Sequence, residues 1–170
     1  MKTKPAFVKV LLFATGWALA CDAAGAAGPA EQPRGETKPA AALVYVGRPA
    51  SAGFAVPIYF FVDDQVVGVN HGNEYFFVDV APGKHIFWSK AENVEALELE
   101  VEGGKTYYFQ QKTLIGVLKA RTELRLLDEA AGEPMLKECK KMSVMSEKER
   151  SRGAEHAAKS FARAKEELAK

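Results

Sequence analysis

The chain has 170 residues, with 23 Lys and Arg against 22 Asp and Glu, a formal net charge of +1. That length suits one hydrophobic core with attachments, and the near-balance of charge argues against bulk electrostatic binding to nucleic acid or anionic membrane. Two cysteines, Cys21 and Cys139, are too few for a disulfide framework, and His71, His85 and His156 show no metal-ligand spacing, so neither metal nor cofactor is expected.

Residues 1–20 read as a signal peptide. Lys2, Lys4 and Lys9 form a basic start, and Val10 to Ala20 is an apolar run too short to cross a bilayer, where roughly 20 residues are needed. Ala18-Leu19-Ala20 supplies a small–x–small cleavage pattern. Removal of residues 1–20 takes three lysines away and leaves 20 basic against 22 acidic side chains, net −2.

Ala18-Leu19-Ala20-Cys21 resembles the lipobox of bacterial lipoproteins, with Ala18 where that family usually has Leu. The resemblance implies a diacylglycerol on Cys21 and anchoring to a membrane facing the periplasm, inner or outer. The other reading is ordinary cleavage at the same bond, which leaves Cys21 a thiol able to pair with Cys139. Residues 21–40, rich in Ala, Gly and Pro, are expected to form a flexible tether spanning roughly 25 Å root-mean-square.

The body, residues 41–130, reads as strands. Ala42 to Gly47 is short and β-rich. Ile58 to Val62 and Val66 to Val69 flank the polar tip Asp63-Asp64-Gln65, as in a hairpin. Tyr75 to Val80 and Lys84 to Ser89 are separated by Ala81-Pro82-Gly83, a turn with Pro and Gly where a type II turn wants them. Leu97, Leu99 and Val101 alternate with Glu98, Glu100 and Glu102, the period of a strand with one face in the core. Lys105 to Gln111, Leu114 to Leu118 and Glu123 to Leu127 complete an all-β fold, an antiparallel β-sandwich of about eight short strands.

The spacing of IYFFVDDQVVGV, NEYFFVDVAPGKHIF and LELEVEGGKTYYFQ resembles the bacterial envelope family catalogued as domain of unknown function 2846, over roughly residues 43–130. It is also similar to surface-associated PEGA modules, through Pro82-Gly83-Lys84-His85 and Gly104-Lys105-Thr106-Tyr107-Tyr108. The hairpin tip departs, with Asp63-Asp64-Gln65 where those families often have Asp-Gly-Lys. The resemblance implies a small β-sandwich in an envelope protein and no reaction.

Candidate sites are few. Asp63 and Asp64 lack the further carboxylates and the glycine of a calcium loop and read as solvated turn residues. His85 has no Cys or Asp beside it in sequence and reads as a sheet histidine. Eleven of the 17 aromatic residues lie between Pro57 and Gln111. Among them Tyr59, Phe61, Tyr75, Phe77, Tyr107 and Phe109 occupy alternate strand positions, either wholly buried or forming an exposed binding face.

Residues 131–145 contain Gly132 and Pro134 and read as a linker. Ser146 with Glu149 has the spacing of a capping box, so an amphipathic helix is expected over 146–169, docking on a partner or on its own sandwich through Phe161 and Leu168. The expectation is a non-enzymatic, membrane-anchored envelope module that binds another envelope protein or glycan. The alternatives are a glycan-acting hydrolase or transferase, and a subunit that binds its partner through the helix.

Overall fold

The computed structural model describes residues 32–50, 56–115 and 120–169. The signal peptide, Cys21 and the first half of the tether lie outside them. The described body is a stack of four layers, helix–sheet–sheet–helix. One sheet has the order β8-β7-β1-β4-β9 and the other β3-β2-β5-β6. The strands are β1 (Ala42–Arg48), β2 (Ile58–Val62), β3 (Gln65–Asn70), β4 (Glu74–Val80), β5 (Gly83–Lys90), β6 (Val94–Val101), β7 (Thr106–Ile115), β8 (Ala120–Leu127) and β9 (Lys141–Met142). Helix α1 (Glu129–Glu138) covers the outer face of the first sheet, and α2 (Glu147–Glu167) that of the second.

Alternation decides what each strand buries. Val44 and Val46 of β1, Phe60 of β2, Phe76 of β4, Phe87 of β5 and Phe109 of β7 meet between the sheets. Leu97, Leu99 and Val101 of β6 join them while Glu98 and Glu100 face water, as the alternation predicts. Each fully buried Phe contributes about 1.5–3 kcal/mol relative to exposure, so this shared interior is the main stabilising layer.

Four expectations change. The sandwich is mixed rather than antiparallel, because β1 runs parallel to β7, and β9 parallel to β4. Sheet neighbours that the chain reaches by crossing between layers are free to run parallel; hairpin neighbours are not. Leu114 belongs to β7 rather than starting a strand of its own.

The expected linker holds α1 and β9. Asp128 caps α1 by accepting from Ala131 N at 2.9 Å, and Gly132 is buried where a Cβ would come 2.3 Å from Cγ of Tyr108. The glycine that reads as a breaker is thus the residue that lets the helix approach the sheet.

Finally, residues 32–40 are a strap held on the body, not free tether. Gln32 Nε2 donates to Cys139 O, Tyr75 Oη donates to Pro33 O at 2.8 Å, and Arg34 pairs with Glu133 at 2.8 Å. Further along, Gly35 lies against Leu43 and Phe77, and Lys38 pairs with Asp79. The strap therefore runs beside α1 along the outer face of β1 and β4, then reverses into β1 through the Lys38–Ala41 bridge.

Candidate functional site

The six aromatics that alternate along the strands divide among three layers. Tyr59 and Phe61 lie under α2 with Trp88 and Val94. Phe61 stacks on Trp88 at 3.7 Å, and Trp88 Nε1 donates to Asp63 O at 2.7 Å. The stripe of α2 that meets these rings is Gly153, Ala157, Ser160 and Ala164, small enough to let the helix axis sit close. Gly153 is required there, since a Cβ would lie 2.5 Å from Val66 Cγ2.

Tyr75 and Phe77 lie on the opposite side, packed with Tyr45, Tyr108, Met135 and Leu136 under α1. Tyr107 and Phe109 face the interior between the sheets. The six residues therefore occupy three layers and form no common surface. Phe161 packs on Trp88 at 6.3 Å and Leu168 is half-buried at the helix end, so α2 docks on its own sandwich.

Two polar constellations were not legible from sequence spacing. His85 has an Asp beside it after all: its Nδ1 lies 2.7 Å from Asp63 Oδ2, and its Nε2 lies 2.9 Å from Ala81 O. Asp63, at φ 53°, also accepts from Ile86 N at 2.9 Å. The register of β2 against β5 brings residues 22 apart in sequence together. Both ring nitrogens are engaged with protein oxygens, so neither is open to a substrate here, and the pair ties the hairpin tip to β5.

The second constellation joins the sheets. Arg48, fully buried, donates to Asn70 O at 3.0 Å and to Thr113 Oγ1 at 2.7 Å. Asn70 Nδ2 donates to Val46 O and Gln111 Oε1, both at 3.1 Å, and Gln111 Nε2 donates to Ser89 Oγ at 2.9 Å. Burial lowers the Arg48 guanidinium to about 10, against the raising field of Glu74.

Cys139 is a free, fully buried thiol that burial pushes up to about 12. Its Sγ lies 3.5 Å from Met135 O, closed off from solvent. Among the described residues no group of three or more His, Cys, Asp and Glu is placed to hold a metal, and no helix is long and apolar enough to cross a membrane.

The surface with the most chemical character is α2 and its margins. Ser146 and Glu149 form the expected capping box, which also draws the Glu149 carboxyl below its usual range, chiefly through the Ser146 side chain. One margin is a groove of about 480 Å³ between the helix and the β2–β3 tip, lined by Gln65, Val66, Ala158, Phe161 and Lys165 among others. Lys165 Nζ sits 4.4 Å over the Phe161 ring. The other margin carries Arg152, His156, Lys159 and Arg163, with spacings of four, three and four that put them on one helical stripe. The His156 ring meets Tyr59 edge-on at 5.1 Å.

No curated protein and no solved structure matches the chain. A family described as Protein of unknown function (DUF2846) matches residues 38–123, from the end of the strap into β8. That span covers most of the two sheets and leaves α1, β9 and α2 beyond it. The chain belongs to that family.

Proposed function

We propose that this protein is a non-enzymatic, lipid-anchored component of the bacterial cell envelope, exported by residues 1–20, held at the membrane through Cys21, and serving as a module that binds or scaffolds another envelope component. The observation that carries the reading is the strap. Directly after the low-complexity segment, residues 32–40 are fastened along the first sheet by Gln32, Pro33, Arg34 and Lys38, which suits a domain suspended from its amino-terminal side. Ten residues lie between Cys21 and Gln32, over which the tether expected from the sequence would span roughly 17 Å root-mean-square. This is shorter than the 25 Å expected of a tether reaching residue 40.

The buried state of Cys139 supports the same reading, because it leaves Cys21 available for acylation. The likeness of the Pro82–His85 turn to PEGA surface modules is consistent with it. Two or more acyl chains hold a protein firmly where one does so marginally. With both sheets covered, the surface offered to an envelope partner is the helical layers and the loops rather than the aromatic strands.

Intact mass of protein extracted from membranes of a producing bacterium tests the anchor. The expected result is a diacylglycerol increment on a chain beginning at Cys21, and a Cys21→Ser protein that moves to the soluble fraction. A first residue other than 21, or an unmodified cysteine, overturns the anchor.

A further inference from the structure

Helix α2 bears three long edges with different chemistry. The docked edge is Gly153, Ala157, Ser160 and Ala164. The edge beside the groove is mostly alanine with Phe161 and Lys165. The third is Arg152, His156, Lys159 and Arg163, all basic, which eleven helical rises of 1.5 Å extend over about 16 Å.

Lys90 adds a fifth basic group from the sheet. It stands opposite Tyr59 in the β2–β5 ladder, on the face that α2 covers, and Tyr59 touches His156. Of the five, Lys159 is paired with Glu155, Arg152 hydrogen-bonds with Tyr59 and Lys90 Nζ lies 3.5 Å from Ala91 O, and none of the described salt bridges takes in Lys90, Arg152, His156 or Arg163. Arg152 and Arg163 are exposed, and His156 and Lys90 half-buried, so the groups are reachable from solvent while their backbones are fixed by packing.

Basic groups gathered in this way disfavour one another's charge. The Lys90 ammonium is lowered first by burial and then by Arg163, with Glu92 opposing. The His156 imidazole is lowered by burial and then by Lys90, with Arg152 and Lys159 adding to it and Glu155 opposing. A stripe that is preorganised, basic and self-repelling is relieved by an oxyanion, which takes charge-assisted hydrogen bonds from several donors at once.

We propose that Lys90, Arg152, His156 and Arg163 form a binding site for phosphate groups, and that its ligand is the phosphate headgroups of an anionic lipid surface. The length of the stripe favours a row of phosphates over a single one. The apolar edge of α2 is already docked on the sheet, so the contact is electrostatic and lies at headgroup depth. This inference is independent of acylation at Cys21.

The test uses the chain from residue 21 onward carrying Cys21→Ser, so that no acyl chain contributes. Sedimentation with phosphatidylglycerol-containing vesicles at low salt is expected to capture it, with loss of binding as salt rises, and phosphatidylcholine vesicles are not. Arg152→Glu/Arg163→Glu is expected to lower partitioning about tenfold or more, and the charge-matched pair Lys137→Glu/Lys140→Glu less than about twofold. Equal losses for the two pairs would reduce the effect to bulk charge and overturn the site. In a second arm, inorganic phosphate is titrated while the His156 ring resonances are followed. A saturable shift without vesicle capture keeps the phosphate site and overturns its assignment to lipid. No response in either arm overturns both.

Discussion

Gly132, in α1, and Gly47, in β1 beneath that helix, differ in what a methyl group would meet. At Gly132 a Cβ would lie 2.3 Å from Cγ and 2.6 Å from Cβ of Tyr108, atoms close to the strand backbone that cannot swing away. At Gly47 the nearest atoms are Sδ and Cε of Met135, the far end of a flexible side chain, at 2.1 and 2.9 Å. Gly132→Ala should therefore destabilise by about 1–3 kcal/mol, the usual range for overpacking, and Gly47→Ala by less. Thermal unfolding of the two variants side by side checks this; a Gly47→Ala protein that melts lower than Gly132→Ala contradicts it.

Among the elements, α2 carries a pH dependence whose sign follows from His156. Its imidazole is lowered by burial, then by Lys90 of β5 and by Arg152 and Lys159 of its own helix, with Glu155 opposing; Tyr59 of β2 meets its ring. A histidine lowered on folding binds more protons in the unfolded chain, so stability rises with pH through that window. The contribution is complete above the unfolded value of about 6.5 and is lost as pH falls below it. Melting temperature should drop between pH 7.5 and 5.5 in the native chain, and a His156→Phe variant should show a shallower drop. Parallel slopes for the two would remove His156 as the cause.

The elements also show what sequence can and cannot convey. The alternation of Leu97 to Glu102 and the Ser146–Glu149 box are local signals, and both features form as read. Gly132 and Pro134 mislead because a breaker and a close-packing residue look alike until the partner, here Tyr108, is known. The strap is hidden for a related reason. Its contacts are carbonyls, a tyrosine hydroxyl and exposed ion pairs, none of which has a hydrophobic signature. Alternation placed aromatics on both faces of each strand correctly, but what covers the outer faces is α2, whose buried stripe is small residues with little apolar signal, and α1, whose Met135 and Leu136 stand beside a Gly and a Pro that read as breakers. The Asp63–His85 pair needed the β2–β5 register. The basic stripe of α2 did not, since its spacing stands in the sequence.

At the scale of the whole molecule, the two sheets are joined by polar as well as apolar contacts. Arg48, Asn70, Ser89, Gln111 and Thr113 come from β1, β3, β5 and β7 and are all buried. A buried network is stabilising while its members are satisfied and costly once one is removed. Arg48→Met keeps length and apolar stem but leaves Asn70 O and Thr113 Oγ1 short of a donor, at a cost of about 1–3 kcal/mol per stranded group. Arg48→Lys should also lose stability, because one ammonium cannot reproduce the fork of the guanidinium. Chemical denaturation of both variants checks this, and a Met variant as stable as the native chain would show that the network contributes nothing net.

The strap has a mechanical meaning as well. A pull transmitted through the residues before Gln32 meets the bond to Cys139 O first, then Tyr75, then the Arg34–Glu133 pair, then Lys38. These contacts are loaded one after another, so they peel at low force and lengthen the chain by nine residues while the sheets stay whole. Only then does tension reach β1, which lies between β7 and β4 and is gripped by a hydrogen-bonded ladder on each side. In the anchored state proposed above, residues 32–40 would form a compliant segment in series with a stiff body, yielding before the sheets do.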